Sequence, residues 1–341
     1  MRFGVMEDFR NPIEWRRPFP KFYRDILSQI EKCEELGFDN IWLTEHHFTD
    51  DGYNPSLMTT AAAVAMKTTT IRIGTFIVIL PYQHPVLMAE EVANVDILSD
   101  GRFEFGVGQG YSHWEFDALC MNRSERGTRT REGIRLIERL FNEEFVTFDG
   151  KYTQVKNARL SPKPVQQPHP PIWVGARGPK ATKKVAEMGH HLMATLGPDP
   201  APLYIETLKE NGKDPNNFKV AQLRMVYCAE TEDQAWEECQ DHLFHMLDFY
   251  RDIIEEAGDA EGDTEMGNSL TKPEDMRNSV LADVFMIGTP DQVSRKMENF
   301  ISEYQCTDFI LNSQFPGLDP EKGTRALELF ATEVMPRFQK G

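Results

Sequence analysis

The chain has 341 residues and a formal net charge of −17. A surface that acidic repels nucleic acid and anionic membranes. The length suits one large α/β barrel or two ordinary domains, and 40% hydrophobic with 27% charged residues is a normal globular mixture with ample material for a core.

In chain order, Phe3 to Met6 reads as a first strand, followed by a polar, Pro-containing loop from Asp8 to Pro20. Phe22, Ile26, Ile30, Cys33 and Leu36 recur at helical spacing, which predicts a helix over Phe22–Leu36. Gly37-Phe38-Asp39-Asn40 stops it, and Ile41 to Thr44 forms a second strand. An Ala-rich helix over Ser56–Met66 and a long third strand, Ile71 to Leu80, come next. The helix Pro85–Leu98 has Pro in its first turn. Arg102 to Val107 is a fourth strand, and the stripe Ile134, Ile137, Leu140 and Phe141 marks a helix over Arg131–Phe141.

From Phe145 to Pro171 the alternation breaks into a short hairpin, turning at Asp149-Gly150, and a Pro-rich connection. It resumes with a fifth strand, Ile172 to Gly175, and a helix over Lys180–Met188. A sixth strand, Leu192 to Ala194, is followed by a helix over Pro202–Asn211. Val220 to Cys228 is a seventh strand, and a long helix runs from Thr231 to about Glu256. Asp259 to Met276 is acidic and poor in apolar residues, which predicts a mobile surface insertion, here expected to serve as a lid over the site. Gly288-Thr289-Pro290 opens a helix to Tyr304, Asp308 to Leu311 is an eighth strand, and Gly323–Met335 is the last helix.

Eight strands, each followed by a helix, predict one (β/α)8 barrel domain over residues 1–341, with insertions after strands 4 and 7. A doubly wound sheet would carry a Gly-rich turn after the first strand, where Met6-Glu7-Asp8-Phe9 stands. Met1 to Met6 contains no secretory apolar region, and no apolar stretch approaches the ~20 residues of a membrane span. Cys33, Cys120, Cys228, Cys239 and Cys306 form no C-x-x-C pair, so they read as reduced thiols of a cytoplasmic protein.

In such a barrel the C-terminal strand ends converge on one mouth. Glu45, His46 and His47 fall there, after the second strand, and a histidine there suits general acid–base work or ligand contact. Gly108 to Tyr111 and Gly175 to Pro179 are glycine-rich turns leading toward helices, able to offer backbone N–H groups to a phosphate, with Arg177 adding charge. A metal site is not expected: His46 and His47 are adjacent, which points them apart, and no H-x-H or H-E-x-x-H occurs.

The motifs Gly37-Phe38-Asp39, Glu45-His46-His47-Phe48, Asn54-Pro55, Gly74-Thr75, Leu80-Pro81, His84-Pro85-Val86, Gly101-Arg102-Phe103, Pro171-Ile172-Trp173 and Gly288-Thr289-Pro290 stand in order along the chain. In this the sequence resembles the bacterial luciferase-like family of flavin-dependent monooxygenases. The resemblance implies a (β/α)8 barrel using reduced FMN and O2 to oxygenate a small organic substrate through a flavin peroxide. It further implies a separate flavin reductase and a homodimer.

Carried onto this chain, the resemblance makes His46 the active-site base, with Glu45 beside it, and puts a non-proline cis peptide at Phe76-Ile77, against the flavin ring together with Thr75. Gln109, Arg177 and Gly178 fall at the flavin phosphate. Gly108 stands where luciferase has a reactive cysteine, which implies room for a larger substrate lined by Tyr111 and Trp114. Two alternatives remain: hydride transfer with the 5-deazaflavin coenzyme F-420, and a non-catalytic barrel subunit.

Overall fold

The computed structural model describes residues 1–195, 197–257, 272–279 and 281–339. In chain order it contains β1 (Arg2–Glu7), α1 (Phe19–Glu35), β2 (Asn40–Leu43), α2 (Leu57–Lys67), β3 (Arg72–Thr75), β4 (Val78–Ile79), α3 (Pro85–Leu98) and β5 (Phe103–Gly108). It continues with α4 (His113–Ala118), α5 (Arg126–Asn142), β6 (Val146–Asp149), β7 (Gln154–Ala158), β8 (Ile172–Gly175), α6 (Pro179–Met188) and β9 (His191–Ala194). Then come α7 (Ala201–Glu210), β10 (Val220–Cys228), α8 (Glu232–Ala257), β11 (Met286–Gly288), the helix Pro290–Glu303, β12 (Asp308–Asn312) and a last helix, Pro320–Leu329.

Eight of these strands close into a parallel barrel in the order β1-β2-β3-β5-β8-β9-β10-β12, with β12 returning to β1. The predicted barrel is therefore present, all eight strands included. The third strand is interrupted: the peptide bond Phe76-Ile77 is cis, and the short β4 beyond it pairs with β5 alone. Outside the barrel, Phe3, Val5, Ile41, Leu43, Ile73, Phe103 and Phe105 meet the apolar stripes of the helices, including Phe22, Ile26, Ile30 and Cys33 of α1. The helix Pro290–Glu303 opens with a capping box: the Thr289 N–H donates to Gln292 Oε1 at 2.9 Å, and the Gln292 N–H donates back to Thr289 Oγ1 at 3.4 Å.

Two indoles fill the barrel bore. Trp42 and Trp173 meet edge to face, with centroids 5.5 Å apart. Glycine makes the room, since a Cβ on Gly74 would lie 2.2 Å from the Trp42 ring and one on Gly4 would lie 2.8 Å from it. Beneath them the buried Glu104 accepts hydrogen bonds from Arg2 (2.9 Å), Arg72, Asn40 (3.2 Å) and the Trp173 indole (2.7 Å). Burial alone would raise the Glu104 carboxyl; the guanidiniums of Arg2 and Arg72 outweigh it and hold it at about 2.

Both insertions lie where the alternation breaks. After β5 come α4, α5 and the antiparallel hairpin β6-β7. After β10 come α8, a turn at Pro273–Asn278 and β11, which pairs with β10 outside the closed ring. The expected mobile insertion over Asp259–Met276 lies outside the described residues up to Thr271. Its described end is not loose surface: Met276 is fully buried in a cluster with Trp236, Cys239, Leu243 and Phe285.

Candidate active site

β2 ends at Leu43, and the chain then carries Thr44 to His47 across the barrel mouth. His46 is buried, and both ring nitrogens are engaged: Nδ1 lies 2.8 Å from Glu115 Oε1 and Nε2 lies 3.1 Å from the Tyr111 hydroxyl. Glu115 comes from α4 and is wholly buried. The same Oε1 accepts the His47 backbone N–H at 2.8 Å, and Oε2 accepts the Tyr82 hydroxyl at 3.0 Å. Burial pushes this carboxyl up, but its donors, His46 first, outweigh that and hold it below the usual range. An ionised carboxylate only accepts, so His46 carries its proton on Nδ1 and presents Nε2 toward Tyr111.

Glu45 has a different place from the one expected. Its Oε1 accepts the Ile79 N–H at 2.7 Å, which fixes β4 just beyond the cis peptide, and stands 3.9 Å from His47 Nε2. That separation exceeds a hydrogen bond but is close enough for Glu45 to favour the charged form of His47. Glu45 is thus an anchor of the pocket wall, while Glu115, in a short helix that the sequence pattern does not reveal, partners the His46 ring.

Aromatic rings enclose His46. Their centroids lie 4.8 Å (Tyr53), 5.6 Å (Tyr111), 5.7 Å (Phe249), 6.0 Å (Tyr250) and 6.5 Å (Trp114) from its own. Trp114 donates its indole N–H to the His47 carbonyl at 3.1 Å. Hydroxyls link Thr44 to Tyr53 (3.3 Å) and Tyr53 to Tyr250 (2.8 Å). Burial pushes Tyr53 and Tyr111 well up and Tyr250 up to about 12, so all three stay protonated near neutral pH. Phe249 and Tyr250 belong to α8: the second insertion begins at the β10 C-terminus and lays a helix over the mouth. Sequence reasoning missed both, because an insertion's apolar stripe does not say which rings it delivers where.

Around the cis peptide, Phe76 meets the edge of Trp42 at 6.5 Å. Ile77 fills the space expected to be open beside Gly108: a Cβ there would lie 1.7 Å from Ile77 Cδ1, so the missing side chain admits Ile77 and not substrate. Thr75 lies at the end of β3, before the cis peptide. Its hydroxyl donates to the Gly106 carbonyl at 2.7 Å and accepts the Gly106 N–H at 2.9 Å, which ties β3 to β5.

The turn before α6 remains suited to an anion. Gly178 adopts φ +73°, a Cβ on it would meet nothing within 4 Å, and no side chain caps the helix it opens. Arg177 is near enough to Tyr111 to act on its hydroxyl electrostatically. Gln109 is exposed, and a Cβ on Gly127 would lie 2.9 Å from its Oε1 and 3.4 Å from Arg131 Nη1. Arg131, carried on α5, therefore brings a guanidinium into the neighbourhood of Gln109. Among the described residues no group of three or more His, Cys, Asp or Glu could hold a metal, and no helix is long and apolar enough to cross a membrane.

Comparison with known proteins places this geometry. The oxygenase component of the flavin-dependent trigonelline monooxygenase of Acinetobacter baylyi is 29% identical over 223 residues, 63% of this chain and 62% of that one. An F-420-dependent glucose-6-phosphate dehydrogenase of Kineococcus radiotolerans is 34% identical over 185 residues, 52% of this chain and 53% of that one. The crystal structure of monooxygenase RslO1 from Streptomyces bottropensis superposes with a TM-score of 0.83 at 25% identity, covering 99% of this chain and 100% of that one. The family described as luciferase-like monooxygenase matches residues 1–304. The chain therefore belongs to the luciferase-like monooxygenase family.

Proposed function

We propose that the protein is the oxygenase of a two-component system, binding reduced FMN in the barrel mouth and using O2 to oxygenate a small organic substrate. The observation that carries the reading is the His46 ring, held by Glu115, turned toward Tyr111 and enclosed by aromatic side chains near the cis Phe76-Ile77 wall. The residues fit the cofactor: Ile77, seated against Gly108 and 3.4 Å from the Cβ position of Gly175, forms a flat apolar wall for a ring system. The open turn at Gly178, with Arg177, Gln109 and Arg131, would hold its phosphate.

When bound, reduced FMN supplies the electrons that activate O2. His46 Nε2 holds or accepts a proton at the mouth, while Glu115 fixes the tautomer and steadies the imidazolium if it forms. Tyr111 relays or holds a proton at Nε2 through its hydroxyl. The ring shell would keep bulk water from the mouth and so favour oxygen transfer to substrate over release of hydrogen peroxide. The trigonelline enzyme's description as an oxygenase component supports a separate flavin reductase. The outer faces of α2 and α3 expose Met66, Leu87 and Leu98, which supports a homodimer through them. A cavity of about 300 Å³ between these helices is lined by Met58, Met88 and Val95 and bounded by Glu45.

The test is anaerobic titration with reduced FMN and with coenzyme F-420, then O2 uptake with a flavin reductase. The expected result is binding of reduced FMN and reductase-dependent O2 uptake that an organic substrate couples to product. Binding of F-420 alone, with turnover lacking any need for O2, would establish the deazaflavin alternative.

A further inference from the structure

Phe249 of α8 has the environment of a bound aromatic molecule. The Arg10 guanidinium lies 4.2 Å from its ring centroid, and His46 (5.7 Å), Tyr53 (6.1 Å), Trp114 (6.3 Å) and Tyr250 (5.3 Å) present their edges or tilted faces to it. Arg10 is buried at the β1 end of the mouth, also 5.2 Å over the Tyr53 ring. Its Nε donates to Asp51 at 2.5 Å, while its Nη1 is buried and has no hydrogen-bond partner among the described residues. A buried donor without a partner is costly and marks a place where an acceptor is wanted. Phe249 itself is half-buried at the helix surface, so turning one side chain outward opens a slot between Arg10 and His46.

We propose that Phe249 occupies the substrate-ring position of the monooxygenase site, and that the substrate is a planar aromatic compound whose uncharged oxygen, a ketone or phenol, accepts a hydrogen bond from Arg10. This rests on the function proposed above. The slot selects rings because its walls are aromatic edges and a cation, which favour a π face over an aliphatic chain. It disfavours a carboxylate because Arg10 is already matched: Asp51 pairs with it, and the Asp8 carboxylate oxygen accepts its backbone N–H at 3.0 Å. An added anion would meet those two aspartates in a desolvated site.

The experiment is calorimetric titration of the full flavin-free chain with acetophenone, 1-cyclohexylethanone, ethylbenzene and benzoate. Acetophenone should bind about tenfold or more tighter than each of the others, the scale of one lost hydrogen bond or aromatic contact. Phe249→Ala should tighten acetophenone, because no ring need be displaced, without rescuing benzoate. Equal binding of acetophenone and the cyclohexyl ketone removes the ring slot, and equal binding of acetophenone and ethylbenzene removes the role of Arg10. Benzoate as tight as acetophenone overturns the uncharged acceptor, and weaker acetophenone binding by Phe249→Ala overturns the stand-in. A parallel FMN titration separates the two levels: retained ring selectivity without FMN binding defeats the monooxygenase reading alone, and FMN binding without selectivity defeats the slot alone.

Discussion

Glu115 Oε1 lies 2.8 Å from His46 Nδ1, and the two residues are 69 positions apart, on different elements of the barrel mouth. That contact decides the tautomer of the histidine. Glu115→Gln would keep a carbonyl toward Nδ1, because the His47 N–H needs the same acceptor, but it would lose the negative charge that steadies an imidazolium. We predict a fall in kcat of ~10²-fold or more with the FMN dissociation constant unchanged within about threefold, and partial recovery in Glu115→Asp. Steady-state kinetics beside an FMN titration checks it. Parallel loss of flavin binding and kcat would mean that Glu115 only supports the fold.

His46→Ala tests the partner. Turnover should drop by ~10²-fold or more, the usual contribution of a general acid or base. Reduced FMN should still bind, because the wall at Ile77 and the turn at Gly178 are untouched. Activity within twofold of the parent protein would take His46 out of the chemistry.

Arg177→Ala should weaken FMN by ~1.5–3 kcal/mol, the scale of a charge-assisted hydrogen bond, and leave riboflavin almost unaffected. Arg131→Ala, beside Gln109, should act in the same direction. Fluorescence titration with both flavins reads the difference; equal weakening of the two ligands would place these arginines away from the phosphate.

Gly108→Ala is expected to cost ~1–3 kcal/mol in urea denaturation, because its Cβ would enter the space of Ile77 Cδ1. Gly108→Ala combined with Ile77→Val removes that methyl and should recover part of the loss. A double variant no more stable than Gly108→Ala would show that the strain arises elsewhere.

Glu104 predicts a pH dependence. Its folded pKa, about 2, lies below the ordinary value of 4.5. A depressed carboxyl stabilises the fold fully above its unfolded pKa, and that stability is lost as pH falls from 4.5 toward 2. The amount is about 3 kcal/mol, because a tenfold change in proton affinity is worth ~1.4 kcal/mol. Glu104→Gln should flatten the stability curve across that window, as urea melts at successive pH values would show. Asp8 acts oppositely: burial raises it to about 6, so it favours the fold below its ordinary 3.8 and loses that contribution as pH rises through 6.

The barrel was legible because each strand is a short apolar run followed by a helix with its own start and stop signals. Phe76-Ile77 and His46 were legible through family motifs. Glu115 was not: its partners lie on the β2 loop and at Tyr82, and α4 is six residues long, too short to show periodicity. Ile77 beside Gly108 was also hidden, because a glycine looks the same whether it makes room for a ligand or for a neighbour. The role of Glu45 changed for a similar reason. Its position next to His46 in sequence says nothing of the Ile79 N–H that it meets in space.

Trp42 and Trp173 plug the bore of the barrel. With the indoles in the bore and Glu104 and its arginines below them, the approach to His46 lies on the rim side, where α8 sets Phe249 and Tyr250 against its ring. On the proposals above, a flavin seated against the Ile77 wall and a substrate ring in the place of Phe249 would share that approach. The cofactor would then enter before the substrate, and product would leave before the spent flavin can return to a reductase.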